Sequence, residues 1–243
     1  RGHRSGSRGR DHRESCRPPT LVHPPISRLP DSAAATIRDR VRAANYASQR
    51  LGIYVPPLFQ DEAARLKAQI DAMPAETKTA VRGRLDDVLG DDGSRRRFWA
   101  MMADGDADKR SAEAARIVSE ASLARTQPGL ARDIALGREA RKANKNYAPS
   151  DERQFRASLD GLLGNAFSLV PEAREAVAQE VLDLYAKKSL DAGDTTGQRN
   201  DDRLKEAFKQ RFGGDLPEWN GGKVIPPQYG WDTARFRDWL YSL

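Results

Sequence analysis

From Asp31 onward, apolar residues recur three and four positions apart, the period of a helix that buries one face. Ile37, Val41, Ala44 and Leu51 make the first such stripe, capped by Asp31 or Ser32 and stopped by Gly52 and Pro56-Pro57. A second begins at Asp61 and carries Ala63, Leu66, Ile70 and Met73. Pro74 suits the first position of a third, where its missing N–H costs nothing, followed by Val81, Leu85, Val88 and Leu89 up to Gly90. A short helix around Phe98, Met101 and Met102 comes next. Asp106 then caps one with Ala114, Ile117, Val118 and Ala121, and Pro128 opens another with Leu130, Ile134 and Gly137.

The run 142–150, with Asn144, Asn146 and Pro149, breaks the period and reads as a connector. Beyond it Ser150 caps a helix with Phe155, Leu159, Leu162 and Leu163, closed by Gly164. Pro171 opens a longer one with Ala173, Val177, Val181, Leu184 and Tyr185 on one face. After the polar loop 193–200, Asp201 or Asp202 restarts a helix through Leu204, Ala207, Phe208 and Phe212 to Gly213-Gly214. Trp219-Asn220-Gly221-Gly222 before Lys223-Val224-Ile225 signals a tight hairpin, because Asn-Gly supplies positive φ angles. Asp232 caps a last helix with Phe236, Trp239 and Leu240. The expected fold is all-α: a multi-helix orthogonal bundle with one small C-terminal β-hairpin. Residues 1–31 form an arm or linker, 32–148 an N-terminal helical subdomain, and 149–243 a C-terminal one that holds the hairpin.

Residues 1–31 hold five prolines and almost no apolar periodicity, so they are expected to be disordered. They also hold most of the charge asymmetry. The chain has 41 basic and 35 acidic residues, and residues 1–30 account for seven arginines against Asp11 and Glu14. The body from residue 31 is therefore nearly neutral, with 34 basic and 33 acidic residues interspersed as on a solvated helical surface. One reading of the arm is non-specific nucleic-acid binding through phosphate contacts. The other is a linker or a remnant of cloning. No apolar run reaches the roughly 18–20 residues of a membrane span, and nothing after Arg1 resembles a signal peptide. The chain is expected to be a soluble piece, or a fragment of something longer.

The three histidines (3, 12 and 23) and Cys16 all lie in the arm, so the body lacks both residue types. That removes a Ser-His-Asp triad, a Cys-His dyad and a His- or Cys-based zinc site from the body. Asp104-Gly105-Asp106-Ala107-Asp108 opens like a calcium loop, but Lys109 stands where the turn glycine belongs and Ala115 where the bidentate Glu belongs. The glycine pairs 213-214 and 221-222 lack phosphate-loop spacing. No cofactor or metal is expected. Carboxylate pairs for glycan cleavage remain conceivable among Glu120, Glu139, Glu152, Glu180 and Asp183, each of which reads equally as a helix-surface residue. Arg95, Arg96 and Arg97 before Phe98-Trp99 are a candidate nucleic-acid contact, with Trp99 stacking on a base. Asp91 and Asp92 just upstream favour a charge-compensated helix start instead.

Eight of the 17 aromatic residues lie within 204–243, and Trp and Tyr favour interfaces. Phe212, Trp219, Tyr229, Trp231 and Trp239 are therefore the candidate contact residues. The alternative is a small local core.

Two blocks carry a resemblance. One is Leu162-Leu163-Gly164-Asn165-Ala166-Phe167, the Pro171 helix ending Leu184-Tyr185-Ala186, and the loop with Gly193. The other runs from Leu204 through Phe212-Gly213-Gly214 to Trp219-Asn220-Gly221-Gly222-Lys223-Val224-Ile225-Pro226-Pro227. Over residues 150–230 the chain resembles the helical regions of large tailed-bacteriophage and prophage virion proteins, the internal virion or ejection proteins. Some of these carry a lytic transglycosylase elsewhere in a long chain. Transglycosylases place a catalytic Glu before Ser, with a Gly-Leu-Met-Gln stretch after it. Here Glu14-Ser15 is the one Glu-Ser pair and no such stretch follows. The resemblance thus implies a non-enzymatic virion module that assists particle assembly or genome ejection. Its partners would be copies of itself or neighbouring virion proteins, with no small-molecule substrate. Its location would be the virion, or the bacterial cytoplasm before assembly.

Overall fold

A computed structural model of the 243-residue chain describes residues 31–104, 107–219 and 221–224. The Arg-rich arm, Asp106 and the helix expected after Asp232 lie outside the described residues. Among those described, the chain is an all-α helical bundle. Its helices are α1 (Asp31–Leu51), α2 (Gln60–Asp71), α3 (Ala75–Val88), α4 (Asp92–Ala100), α5 (Ala107–Thr126), α6 (Pro128–Ala143), α7 (Glu152–Leu163), α8 (Pro171–Asp191) and α9 (Asp201–Phe212). A 3-10 turn, Lys145–Tyr147, fills the connector between α6 and α7.

The helix boundaries follow local chemistry. Pro128 and Pro171 open α6 and α8 at the position where no N–H is needed. Asp91 caps α4 by accepting from the Ser94 N–H, at 3.0 Å. Pro74 is the residue before α3 and not its first member. The caps of α7 and α9 fall one residue from those expected. Asp151 accepts from Gln154 N–H and Asn200 from Arg203 N–H, both at 2.9 Å, so the carboxylate and the amide outcompete Ser150 and Asp201. Gly213 ends α9 in the left-handed conformation, with φ +75°. The hairpin is short: β1 (Glu218–Trp219) pairs antiparallel with β2 (Gly222–Lys223), Glu218 opposite Lys223.

The buried apolar residues fall into two clusters. One gathers Val41, Leu58, Ile70, Leu85, Phe98, Trp99 and Ile117 from α1 to α5. The other gathers Leu123, Ile134, Phe155, Leu159, Val181, Tyr185 and Phe208 from α5 to α9. They divide within α5, between Ala121 and Leu123. The break expected at 148/149 therefore falls inside the second cluster, because α6 makes its most extensive packing on α8. Gly137 allows this. A Cβ there would sit 1.7 Å from the Asp183 carbonyl oxygen, so only a hydrogen lets the two backbones approach so closely.

Candidate functional site

Three of the carboxylates singled out from the sequence, Glu120, Glu180 and Asp183, are almost wholly buried and bound by arginines. Glu120 on α5 is the hub. Its Oε1 accepts from Arg116 Nη1 and from Arg138 Nη2, both at 2.6 Å, and its Oε2 from Arg82 Nη1. Arg138 on α6 also reaches Asp183 Oδ2 on α8, at 2.8 Å from Nη2 and 3.1 Å from Nε. Arg141, one turn along α6, holds Asp183 Oδ1 at 2.5 and 2.9 Å. The network ties α3, α5, α6 and α8 together. A second pair, Glu180 Oε2 with Arg211 Nε at 2.5 Å, fastens α8 to α9. Glu180 Oε1 has no hydrogen-bond partner among the described residues.

The electrostatics follow from that geometry. Burial opposes ionisation of Glu120, but Arg138, Arg82 and Arg116 outweigh it and hold the carboxyl well below the usual glutamate value. Burial likewise disfavours the Arg138 cation, and Glu120 and Asp183 raise its pKa regardless. Burial pushes the Asp183 carboxyl up against the pull of Arg138 and Arg141. A carboxylate held down by three guanidinium groups is a poor proton donor near neutral pH, so Glu120 is unsuited to general-acid work. The oxygens of Asp183 accept two bonds each, which suits fastening helices. Of the other two candidates, Glu139 lies near Lys78 Nζ, at 3.8 Å, and Glu152 meets Arg156 on the surface at 3.3 Å.

Beside this network an open cleft of about 660 Å³ runs between α5, α6 and α8, lined by Lys109, Arg116, Arg138, Arg141, Lys142 and Glu175 among others. Its guanidinium groups are the ones already committed to Glu113, Glu120 and Asp183.

The Arg95–Trp99 contact is not available as expected. Trp99 is fully buried, packs edge-on against Phe98 and donates its Nε1–H to Asp86 Oδ1 at 2.9 Å, so it cannot stack on a base. Arg95 meets Asp92 at 2.9 Å and the Asp86 carbonyl at 3.0 Å, which leaves Arg96 and Arg97 exposed on α4. The cause is Asp86, a buried carboxylate 13 residues upstream that needs donors and takes the indole. Phe212 is likewise a core residue rather than a contact. It packs on Phe208 with ring centres 4.7 Å apart, under the Arg211 guanidinium. Trp219 is placed by its backbone in β1, and Tyr229, Trp231 and Trp239 lie outside the described residues.

Exposed apolar side chains lie elsewhere: Leu169, Val170 and Leu190 at the two ends of α8, and a larger group around the end of α1. Tyr46, Leu51, Ile53, Tyr54 and Phe59, at the corner between α1 and α2, are each more than half exposed. Only Leu58 of the linker turns fully into the core. The linker folds back along α1: Val55 N–H donates to Ser48 Oγ at 2.8 Å, and Tyr54 Oη reaches Met101 Sδ at 3.1 Å. At its end Glu62 accepts from Phe59 N–H and from Arg40 of α1, both at 2.9 Å. Reading Gly52 and Pro56-Pro57 only as a helix stop passes over this site. The signal is Ile53-Tyr54-Val55-Pro56-Pro57-Leu58-Phe59, seven uncharged residues in a linker where polar ones are the rule.

Among the described residues no group of His, Cys, Asp and Glu side chains comes together to hold a metal ion, and no helix is long and apolar enough to cross a membrane. The chain matches no protein-family model, no curated protein and no solved structure.

Proposed function

We propose that the protein is a non-enzymatic helical module of a phage or prophage virion protein, assisting particle assembly or genome ejection by packing against copies of itself or neighbouring particle proteins. The observation that carries this reading is the fate of the interior charges. Glu120, Asp183 and Glu180 are engaged by Arg82, Arg116, Arg138, Arg141 and Arg211, so the charged groups of the core serve to lock five helices in register. The near-neutral body and the exposed apolar corner agree with contact to protein rather than to a polyanion. The virion and ejection parts of the reading rest on the resemblance over residues 150–230.

The test is the light-scattering mass of the full chain with and without residues 1–30, at low and high salt, with a DNA duplex as a second sample. A peptidoglycan-release assay runs alongside. A discrete oligomer indifferent to salt and to the arm is expected, with no release above buffer. A monomer that shifts onto DNA only with the arm, and only at low salt, would replace this reading with nucleic-acid binding. Release of glycan would replace it with catalysis.

A further inference from the structure

The geometry points to the α1–α2 corner as a homotypic interface: a second copy of this chain docks there about a two-fold axis, burying Tyr46, Leu51, Ile53, Tyr54 and Phe59 of each copy against the other. The inference rests on the reading of the chain as an interaction module and names the surface and the partner.

Three observations carry it. The first is area. Large side chains carry about 150–250 Å² each, so five that are half to three-quarters exposed offer roughly 600 Å². A standard interface takes about 800 Å² from each partner, and Gly52, Pro56 and Gln60, exposed in the same segment, add to the strip. The strip is also held in shape, because the Val55–Ser48 and Glu62–Arg40 contacts fasten the linker to α1 at two points. Little ordering entropy is then lost on docking.

The second is the charge at the two ends of the strip. Arg50 sits in the last turn of α1 and has no acidic partner among the described residues. Asp61 sits at the other end, in the first turn of α2, and meets only Arg65, in a pair whose side chains are both more than two-thirds exposed. A two-fold axis through the middle of the strip exchanges its ends. Each Arg50 then lies beside Asp61 of the other copy, which makes the patch complementary to itself. The third is the near-neutral body, with 34 basic and 33 acidic residues from residue 31 onward: the chain's net charge of +6 sits almost wholly in residues 1–30, so the body that carries the strip adds little repulsion between copies.

The experiment is sedimentation or light scattering of the full chain over a wide concentration series, with three variants. Ile53→Glu/Phe59→Glu places four carboxylates in the paired interface and should raise the dimer dissociation constant at least a hundredfold. Both positions are exposed, so the far-ultraviolet helix signal should stay unchanged. Arg50→Glu alone should weaken the dimer several-fold, and Arg50→Glu/Asp61→Arg should restore it, as only a contact between copies would. A wild-type chain that stays monomeric at every concentration overturns the inference and strips self-association from the proposed function. An oligomer that survives Ile53→Glu/Phe59→Glu overturns this interface while leaving the proposed function standing. An open ladder of larger species overturns the two-fold arrangement.

Discussion

Helices α1 and α8 are both 21 residues long, yet they live in opposite surroundings. Helix α8 buries ten residues, with the run Glu180–Ala186 closed off on every side by α5, α6 and α9. Helix α1 buries only Ala34, Val41 and Ala44 and leaves Tyr46 and Leu51 in solvent. The difference separates two uses of a helix. On α8 even charged residues serve packing, because guanidinium partners come to them from neighbouring helices. On α1 even apolar residues are left over, and unspent apolar surface is what a partner can use.

The sharpest way to break this contrast is to remove a charge from the centre. Glu120→Gln leaves Arg82, Arg116 and Arg138 facing a neutral amide in a buried site, and the variant should lose about 3–5 kcal/mol of stability near neutral pH. Chemical denaturation checks this. The pH dependence carries its own sign. The folded Glu120 value lies well below the ordinary 4.5, so its stabilisation is complete above about that pH and fades as pH falls toward the folded value. The gap between wild type and Glu120→Gln should therefore stay constant from neutral pH down to about 4.5 and narrow below it. A gap that narrows near pH 6 would mean that the arginines do not hold this carboxyl down.

The next largest effect is steric and lies where α6 meets α8. Gly137→Ala drives a methyl group into the Asp183 carbonyl, and only separation of the two helices relieves it, so a loss of about 3 kcal/mol is expected. Gly129, in the first turn of the same helix, has open space around it. Gly129→Ala should change stability by less than about 1 kcal/mol and in the favourable direction, since Ala is the better helix former. Thermal unfolding of the two variants separates close approach from helix propensity.

These cases also mark what the sequence makes legible. Helix positions and several helix ends follow from short-range chemistry: Pro128 and Pro171 at helix starts and Gly213 at a helix end, while the caps of α7 and α9 fall one residue from the expected ones. Glu180 and Asp183 look like surface residues for the opposite reason. The arginines that make their burial tolerable lie 31, 42 and 45 residues away, and residue type alone does not reveal a partner on another helix. The aromatics mislead in the same way. Trp99 and Phe212 read as contacts but are core, because Asp86 and Phe208 claim them. Phe59, which reads only as part of a helix stop, stands in solvent, and Tyr54 of the same linker is half exposed. What distinguishes them is the linker they sit in, uncharged and pinned to α1, rather than their chemistry.

The remaining substitutions fall on α1, and they decide whether its exposed face is idle. Val41 is buried in the N-terminal cluster, so Val41→Ala should cost roughly 1–2 kcal/mol from lost contact and a partly filled cavity. Tyr46→Ser on the opposite face should change the stability of the monomer by no more than about 0.5 kcal/mol, because it removes no buried contact. If a second copy covers that face, the two substitutions exchange rank when association is measured. Tyr46→Ser would then weaken the dimer, while Val41→Ala would leave the dissociation constant near that of wild type wherever the fold is intact. Stability measured at low and high protein concentration tests this directly, since dimerisation makes the unfolding midpoint rise with concentration. Wild type and Val41→Ala should show that rise in full, and Tyr46→Ser should show less of it. Equal slopes for all three would leave α1 as the edge of the bundle, and its apolar face unpartnered.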